Sequence, residues 1–125
     1  MSEQDVFDAL KYRIEVDGLG NRLYYNKAGQ LHRTGGPAIE CPDNSRYWYQ
    51  YGHLHRTDGA AVEYDDGTKE WWQNGKRHRT DGPAIERFDG YREWWINGIE
   101  LPVYQDDLNI TPQFILSKHI YDSLA

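Results

Sequence analysis

The chain has 125 residues, a formal net charge of -6, few aliphatic side chains, and five Trp with ten Tyr. This length suits one domain, and its buried area must come largely from aromatic rings. No apolar run approaches the ~18 residues of a membrane-spanning helix, the acidic start "MSEQDVFDAL" is unlike a secretory signal, and the single Cys41 cannot form an internal disulfide. The sequence therefore predicts a soluble, cytoplasmic domain that does not interact with membranes.

The acidic charge lies at the two ends of the chain. Residues 1–10 carry a net charge of -3 and residues 99–125 another -3, whereas residues 11–98 hold thirteen acidic and thirteen basic groups. A neutral body lacks the basic field that a nucleic-acid groove requires. We therefore expect no direct nucleic-acid binding.

The middle of the chain consists of repeats between two atypical ends. Residues 1–12 are predicted to form an N-terminal cap, in which "SEQDVFDALKY" is compatible with a short helix. A half-repeat over 13–23 precedes three gapless repeats of 23 residues at 24–46, 47–69 and 70–92, and a partial repeat follows at 93–102. Atypical terminal units are typical of repeat proteins, where they close the ends of the array.

Each repeat contains two short strand patterns, such as "GPAIERF" and "YREWWI", separated by Asp-Gly and Asn-Gly. These dipeptides between β-prone runs are the strongest local hairpin signals. The predicted fold class is mainly β: a single-layer antiparallel sheet of stacked 23-residue β-hairpin repeats, capped by a C-terminal α-helix.

The C-terminal segment, 103–125, changes character. Thr111 is a suitable N-cap, Pro112 suits the first helical position, and Leu116, Ile120 and Leu124 lie on one side of a helix over about 112–124. Two interpretations stay open for this helix: it covers the open end of the sheet, or it forms a homodimer or partner contact.

The motif "HRTDG" recurs at one repeat position. Strands ~4.8 Å apart, two per repeat, separate equivalent residues by roughly 10 Å, which is too far for ligands of one metal ion or for one catalytic centre. We therefore predict no enzyme, metal site or cofactor, and a structural turn formed by His32, His55, His78, Arg33, Arg56, Arg79, Asp58, Asp81, Gly59 and Gly82.

Within this turn, each residue type has an expected task. The Asp residues should accept hydrogen bonds from local backbone amides, and Gly59 and Gly82 should adopt positive φ. Each Arg should form an ion pair with a Glu of its own repeat. Those glutamates are Glu40, Glu63 and Glu86.

The stretch "WWQNGKRHRTDGPAIERFDG" resembles the MORN (membrane occupation and recognition nexus) repeat, and more closely a variant "NGK-x-HR-x-DGPA" repeat found in bacteriophage and giant-virus proteins. The resemblance covers residues 13–102, although the usual His-Gly step is His-Arg here, with Thr-Asp before the Gly. It implies a single-layer curved β-sheet used for binding, and it names no partner.

Strand register decides which aromatic residues are buried. A two-residue turn at Asp89-Gly90 would place Glu86 opposite Glu93, which is unfavourable. A three-residue turn with a Gly bulge is predicted instead, with Arg87 opposite Glu93 and Ile85 opposite Trp95. Adjacent side chains point to opposite faces. The predicted core column is therefore Tyr49, Trp72 and Trp95, beside Val62 and Ile85.

The other aromatic column is the predicted partner-binding surface. It consists of Tyr25, Trp48, Trp71 and Trp94, flanked by Arg87 and Arg92. Aromatic rings rimmed by charge are typical of interfaces, although a second packing layer and sugar stacking are alternatives.

The sequence thus predicts a non-catalytic module that binds a protein. The resemblance to viral repeats favours a small phage accessory protein that acts in the host cytoplasm and blocks a host factor, such as a defence protein in the manner of an anti-CRISPR. The alternative function is a carbohydrate-binding or cell-wall-binding module that uses the aromatic column.

Overall fold

A computed structural model describes residues 2–102 as a mainly β structure with one helix. The elements are α1 Glu3–Lys11, β1 Arg13–Val16, β2 Arg22–Tyr25, β3 Ile39–Glu40, β4 Arg46–Tyr47, β5 Tyr49–Gln50, β6 His53–Leu54, β7 Val62–Glu63, β8 Lys69–Glu70, β9 Trp72–Gln73, β10 Lys76–Arg77, β11 Ile85–Glu86, β12 Arg92–Ile96 and β13 Ile99–Leu101. Nine strands form one antiparallel sheet in the order β1-β2-β3-β4-β7-β8-β11-β12-β13, and β5-β6 and β9-β10 are separate two-stranded hairpins.

The predicted C-terminal helix over 112–124, and any homodimer contact through it, lie outside the described residues. Over residues 2–102, no helix has the length and apolar character needed to span a membrane.

The predicted N-terminal helix is confirmed as α1, and its start is fixed by a capping box. The Ser2 hydroxyl accepts the Asp5 N–H at 3.0 Å, and the Asp5 carboxylate accepts the Ser2 N–H at 3.1 Å. Such reciprocal bonds satisfy amides that the first helical turn leaves unpaired. The helix ends at Tyr12, whose backbone is extended and leads into β1.

Four equivalent hairpin turns connect strands of the large sheet. In the last of them, the Gly90 N–H donates to the Arg87 carbonyl at 3.0 Å, and the Arg87 N–H donates to the Tyr91 carbonyl at 2.9 Å. Gly90 has a φ of 90°, as a three-residue turn with a glycine bulge requires. The turn type predicted from the sequence is therefore present.

The predicted strand register, however, is wrong by two positions. Ile85 lies opposite Glu93, and not opposite Trp95, while Glu86 lies opposite Arg92. The reason is that the three turn residues are Phe88, Asp89 and Gly90, so that Arg87 closes the turn with Tyr91 and does not pair with Glu93. This register still separates like charges.

One row of opposed residues across the sheet alternates in charge. Every neighbouring pair in this row joins a cation to an anion, as cross-strand stabilisation favours. The row runs Arg22, Glu40, Arg46, Glu63, Lys69, Glu86 and Arg92.

The residues two positions away from this row along each strand lie on the same face of the sheet. Across the strands, aromatic rings alternate there with alanines. Main-chain bonds place Ala61 between Trp48 and Trp71, and Ala84 between Trp71 and Trp94. We call this side the arginine face, because the guanidinium groups of Arg33, Arg56 and Arg79 lie over its rings. The small alanines leave room for the large rings on both sides.

The opposite side carries Val62, Ile85 and the ring column Tyr49, Trp72 and Trp95; we call it the open face. Val62 and Ile85 are buried, as predicted, whereas the three rings are only half-buried. On the arginine face, by contrast, Trp94 is 0% exposed. The column predicted to be exposed is thus fully buried at Trp94, whereas its members Trp48 and Trp71 are half-buried beneath Arg56 and Arg79.

The first repeat also differs from the predicted alignment. The His55 N–H donates to the Trp48 carbonyl at 3.0 Å, whereas the His32 N–H donates to the Tyr24 carbonyl at the same distance. Tyr24, and not Tyr25, thus occupies the position of Trp48. The cause is the turn between Asn26 and Gln30, which is one residue longer than the corresponding turn of the second repeat.

Candidate functional site

The arginines of the HRTDG motif form stacked clamps. The Cζ atoms of Arg33, Arg56 and Arg79 lie 4.0, 3.9 and 3.8 Å from the ring centroids of Tyr24, Trp48 and Trp71. A guanidinium over an indole or phenol face is attracted by the ring quadrupole. Each clamp therefore holds an aromatic ring and covers it at the same time.

The predicted ion pairs with the glutamates are present. Nη1 of the arginine lies 3.0 Å from a carboxylate oxygen of Glu63 in the second repeat and 3.1 Å from Glu86 in the third. The first repeat has the longer distance of 3.4 Å, between Arg33 and Glu40. The same nitrogens also donate to main-chain carbonyls of the loop, those of Pro37, Ala60 and Pro83.

The aspartates have a different task from the predicted one. The Asp58 and Asp81 carboxylates accept hydrogen bonds from Nε of Arg56 and Arg79, each at 2.9 Å. The Arg56 guanidinium is the main reason that the pKa of Asp58 is lowered. The aspartates therefore orient the guanidinium.

The prediction of positive φ for Gly59 and Gly82 is wrong, since neither adopts it. They are glycines for lack of space: a Cβ at Gly82 would lie 2.8 Å from Cζ of Arg79, and one at Gly59 would lie 3.0 Å from Cζ of Arg56. Any side chain at these positions would push the guanidinium off its ring.

The first clamp takes its carboxylate from elsewhere in the chain. Its motif reads HRTGG, with Gly35 in the place of Asp58. Asp8 of α1 accepts a hydrogen bond from Nη2 of Arg33 at 2.8 Å. The same end of α1 is held by the Tyr12 hydroxyl and Thr34, whose oxygens are 2.8 Å apart. The helix thus completes the first clamp.

The histidines join neighbouring repeats. Nδ1 of His32, His55 and His78 accepts the backbone N–H of Tyr51, Asn74 and Asn97, each at 3.0 Å. Each of these donors lies in a hairpin turn with positive φ, 19 residues further along the chain. Burial, and then the positive charge of Lys11, lowers the pKa of His32, which favours the neutral, accepting imidazole.

On the open face, carboxylates fix the tryptophan rings. Nε1 of Trp72 donates to Glu70 at 2.8 Å, and Nε1 of Trp95 donates to Glu93 at 3.3 Å. Between the two indoles lies Arg77, with Cζ 5.2 Å from the Trp72 centroid and 5.0 Å from that of Trp95. Among residues 2–102, Nε of Arg77 is buried without a hydrogen-bond partner. The contacts of the two indoles hold the rings in place.

A surface cavity of about 470 Å³ opens beside this group. Both carboxylates and guanidiniums line it, together with the exposed ring of Phe88. Burial and the neighbouring Glu70 raise the pKa of Tyr64 to about 12, so its hydroxyl remains protonated and donates to Glu70 at 3.3 Å. The wall can thus both donate and accept hydrogen bonds.

The six predicted binding residues are divided between the faces. Tyr25 and Arg87 belong to the open face, and the other four belong to the arginine face, where Trp94 is fully buried. Sequence reasoning missed Arg77, although a signal existed: the equivalent positions of the two preceding repeats hold Leu31 and Leu54. A cation at a position that is otherwise leucine indicates that this position has a different structural role in the third repeat.

Within residues 2–102, no three His, Cys, Asp or Glu side chains are grouped so that they could hold a metal ion. Comparison with known proteins found no matching family model, no similar curated protein and no similar solved structure.

Proposed function

We propose that this chain is a non-catalytic repeat module that binds another protein through its open face. The observation that carries the proposal is the fixed aromatic group on that face: Trp72 and Trp95, each held by a carboxylate, with Arg77 between them. Rigid aromatic and arginine side chains are the residue types that dominate protein-protein interfaces. Their immobility reduces the entropy lost on binding.

The surroundings of this group support a protein partner. The cavity beside it carries carboxylates, two guanidiniums and a phenol, and the ring of Phe88 is 70% exposed at its rim. A mixed-charge wall around apolar rings provides an interface with an apolar centre and a polar rim. An exposed aromatic ring at that position is the natural anchor for a partner.

The arginine face has a structural task in this proposal. Its guanidiniums are engaged by carboxylates and loop carbonyls, and its histidines accept backbone amides. These recurring contacts support an array of MORN-like 23-residue hairpins rather than a catalytic centre. The resemblance of the repeat to viral repeats is what favours a phage accessory protein that blocks a host factor within this proposal.

An affinity pull-down with the full-length chain tests this function. Lysate of the natural host should yield one stoichiometric protein with the wild type. Replacing Phe88 by Ser or Arg87 by Glu should reduce its recovery about tenfold, as for loss of an interface anchor. Ile99 is a matched control, since it is also exposed (68%) and lies away from the cavity. Its change to Ser should leave recovery unchanged.

Other outcomes assign the function differently. If Ile99→Ser removes the bound protein and Phe88→Ser does not, the open face is not the interface. If no protein is recovered, and the chain instead sediments with a polysaccharide and is released by free sugar, the chain is a carbohydrate-binding module. Sugar stacking on the same rings would then explain the open face.

A further inference from the structure

β1 is an edge strand of the sheet. Among residues 2–102, β1 pairs only with β2, and the Tyr24 N–H on β2 is directed to the Ala38 carbonyl, away from β1. In an antiparallel pair, this places Ile14, opposite Tyr24, with its main-chain groups facing outward, as are those of Val16. Over the same residues, no backbone hydrogen bond outside the strand ladders involves the N–H of either residue. Such an edge is a template for another strand.

Exposed apolar side chains are concentrated at this same end. Of the nine large apolar side chains that are exposed in the described part of the chain, five belong to residues 6–19. They are Val6, Phe7 and Leu10 on α1, Val16 on β1, and Leu19 in the following turn. An apolar group of this kind marks an interaction surface.

The apolar side of α1 faces away from the first clamp. The helix is attached to the first repeat by Asp8, whose carboxylate contacts Arg33. At 100° per residue, Val6 and Leu10 lie on the opposite side of the helix from Asp8. Because the helix leads directly into β1 through Tyr12, these exposed side chains lie at the same end of the molecule as the edge strand.

The charges on β1 select the partner strand. A two-fold axis through an antiparallel pair can be centred on an outward-facing or an inward-facing residue, but centring on Arg13 or Glu15 would oppose that charge to its own copy, which is unfavourable. Centred on Ile14, Arg13 of each copy faces Glu15 of the other. Centring on Val16 would oppose Glu15 and Asp17, and centring on Tyr12 would oppose Lys11 and Arg13; both place like charges together, which is unfavourable.

We propose that two copies of this chain pair through β1, antiparallel and centred on Ile14. The two-fold axis is perpendicular to the sheet, so both α1 helices lie on the same side of the joined sheet, with Val6, Phe7 and Leu10 of the two copies facing each other. The contact is self-complementary, as a two-fold interface requires. It joins two nine-stranded sheets into one, and the β1 edge of each copy becomes paired.

Sedimentation equilibrium or light scattering over a range of concentrations measures the association. The wild type should be a dimer. Leu10→Lys and Val16→Lys should each weaken it about tenfold or more without loss of folding, because these side chains are 84% and 65% exposed. Phe88→Lys, an equally exposed apolar position far from β1, should remain dimeric. A monomeric wild type, or dissociation by Phe88→Lys alone, would overturn the proposal.

Charge reversal tests whether the partner is a second copy. Glu15→Arg should weaken the dimer, because it opposes Arg13 of the other copy. Adding Arg13→Glu to the same chain should restore the dimer, since the opposed pair is again of unlike charge. If both variants associate like the wild type, the strands do not meet in this register, and the proposal fails.

Disulfide trapping tests the centre of the pairing. In a Cys41→Ser chain, Ile14→Cys should form an intermolecular disulfide on mild oxidation, because residues opposed across an antiparallel pair have Cα atoms ~5.5 Å apart. Val16→Cys should not, since four residues separate it from its equivalent, roughly 14 Å. Trapping of Val16→Cys without Ile14→Cys, or of neither, would refute pairing centred on Ile14.

Discussion

The first arginine clamp and the two that follow reach the same contact by different routes. In the second and third repeats, the carboxylate beside the guanidinium is two residues away, at Asp58 and Asp81. In the first, it is Asp8, 25 residues earlier in the chain. The local aspartates are exposed, whereas the Asp8 side chain is 5% exposed and that of Arg33 only 12%.

This difference shows how a repeat can hold a segment that is not itself a repeat. Gly35 takes the place of the local aspartate and adopts a φ of 81°, so the first loop leaves its arginine with a free side for α1. Because the first motif lacks the local aspartate, Arg33 can bind Asp8 instead, and this ion pair attaches the helix. The ion pair of the clamp arginine is a local contact within the loop in the later repeats. In the first repeat it is a tertiary contact with α1.

The largest effect on stability is expected at Asp8. Asp8→Ala removes one partner of a buried ion pair, and we expect a loss of about 3 kcal/mol of unfolding free energy, measured by urea denaturation. The matched change Asp58→Ala should leave the urea midpoint nearly unchanged, because exposed ion pairs contribute little. Equal effects of the two variants would show that burial does not distinguish the clamps.

A smaller effect is expected at the glycine that follows each clamp. A Cβ at Gly82 would lie 2.8 Å from Cζ of Arg79, whereas one at Gly36 would lie 3.1 Å from Cζ of Arg33. Overpacking of this kind costs roughly 1–3 kcal/mol, so Gly82→Ala should lower the thermal midpoint more than Gly36→Ala. The reverse order would mean that the first clamp, tied to α1, is the less adaptable of the two.

The smallest effect is a pH dependence in the first repeat. The pKa of His32 is lowered by burial and by Lys11, so the unfolded chain binds the proton more readily and stability falls as the pH drops below the ordinary histidine value of about 6.5. Protonated Nδ1 can no longer accept the Tyr51 N–H. Urea midpoints at pH 7.5 and 5.5 should therefore differ more for the wild type than for His32→Gln; an equal difference would exclude His32 as the cause.

Local sequence signals predicted a large part of this structure. Asp-Gly between β-prone runs predicted a three-residue turn with a glycine bulge, although not its placement at Phe88–Gly90, and the recurrence of Arg and Glu predicted the ion pairs of Arg56 and Arg79. These features depend on residues that are close in the chain or equivalent in the repeat. The same is true of α1, whose capping box lies within its first residues.

The choice of buried face could not be obtained in this way. The sequence places two aromatic residues side by side, so one ring must occupy each face, and hydropathy does not distinguish them. The deciding residue is the arginine eight positions after Trp48 or Trp71, which folds back over that ring. A charged side chain acted here as the covering layer of the core.

The link between Asp8 and Arg33 was also beyond sequence reasoning, since nothing in "QDVFDALK" marks one carboxylate as buried. The absent aspartate in HRTGG was a visible signal, because a motif that lacks one component implies that another segment supplies it. The open-face group around Arg77 was signalled in the same way, by a cation at a position that is leucine in the two repeats before it.

The alternating row of charges from Arg22 to Arg92 bears on how such chains can change in length. Each internal repeat contributes one cation and one anion to this row, so a duplicated unit would extend the row without adding net charge to it. The electrostatic self-repulsion that accompanies a row of like charges would therefore not grow along this row with the number of units. The alternation of charge in this row is therefore kept when a unit of 23 residues is duplicated or lost.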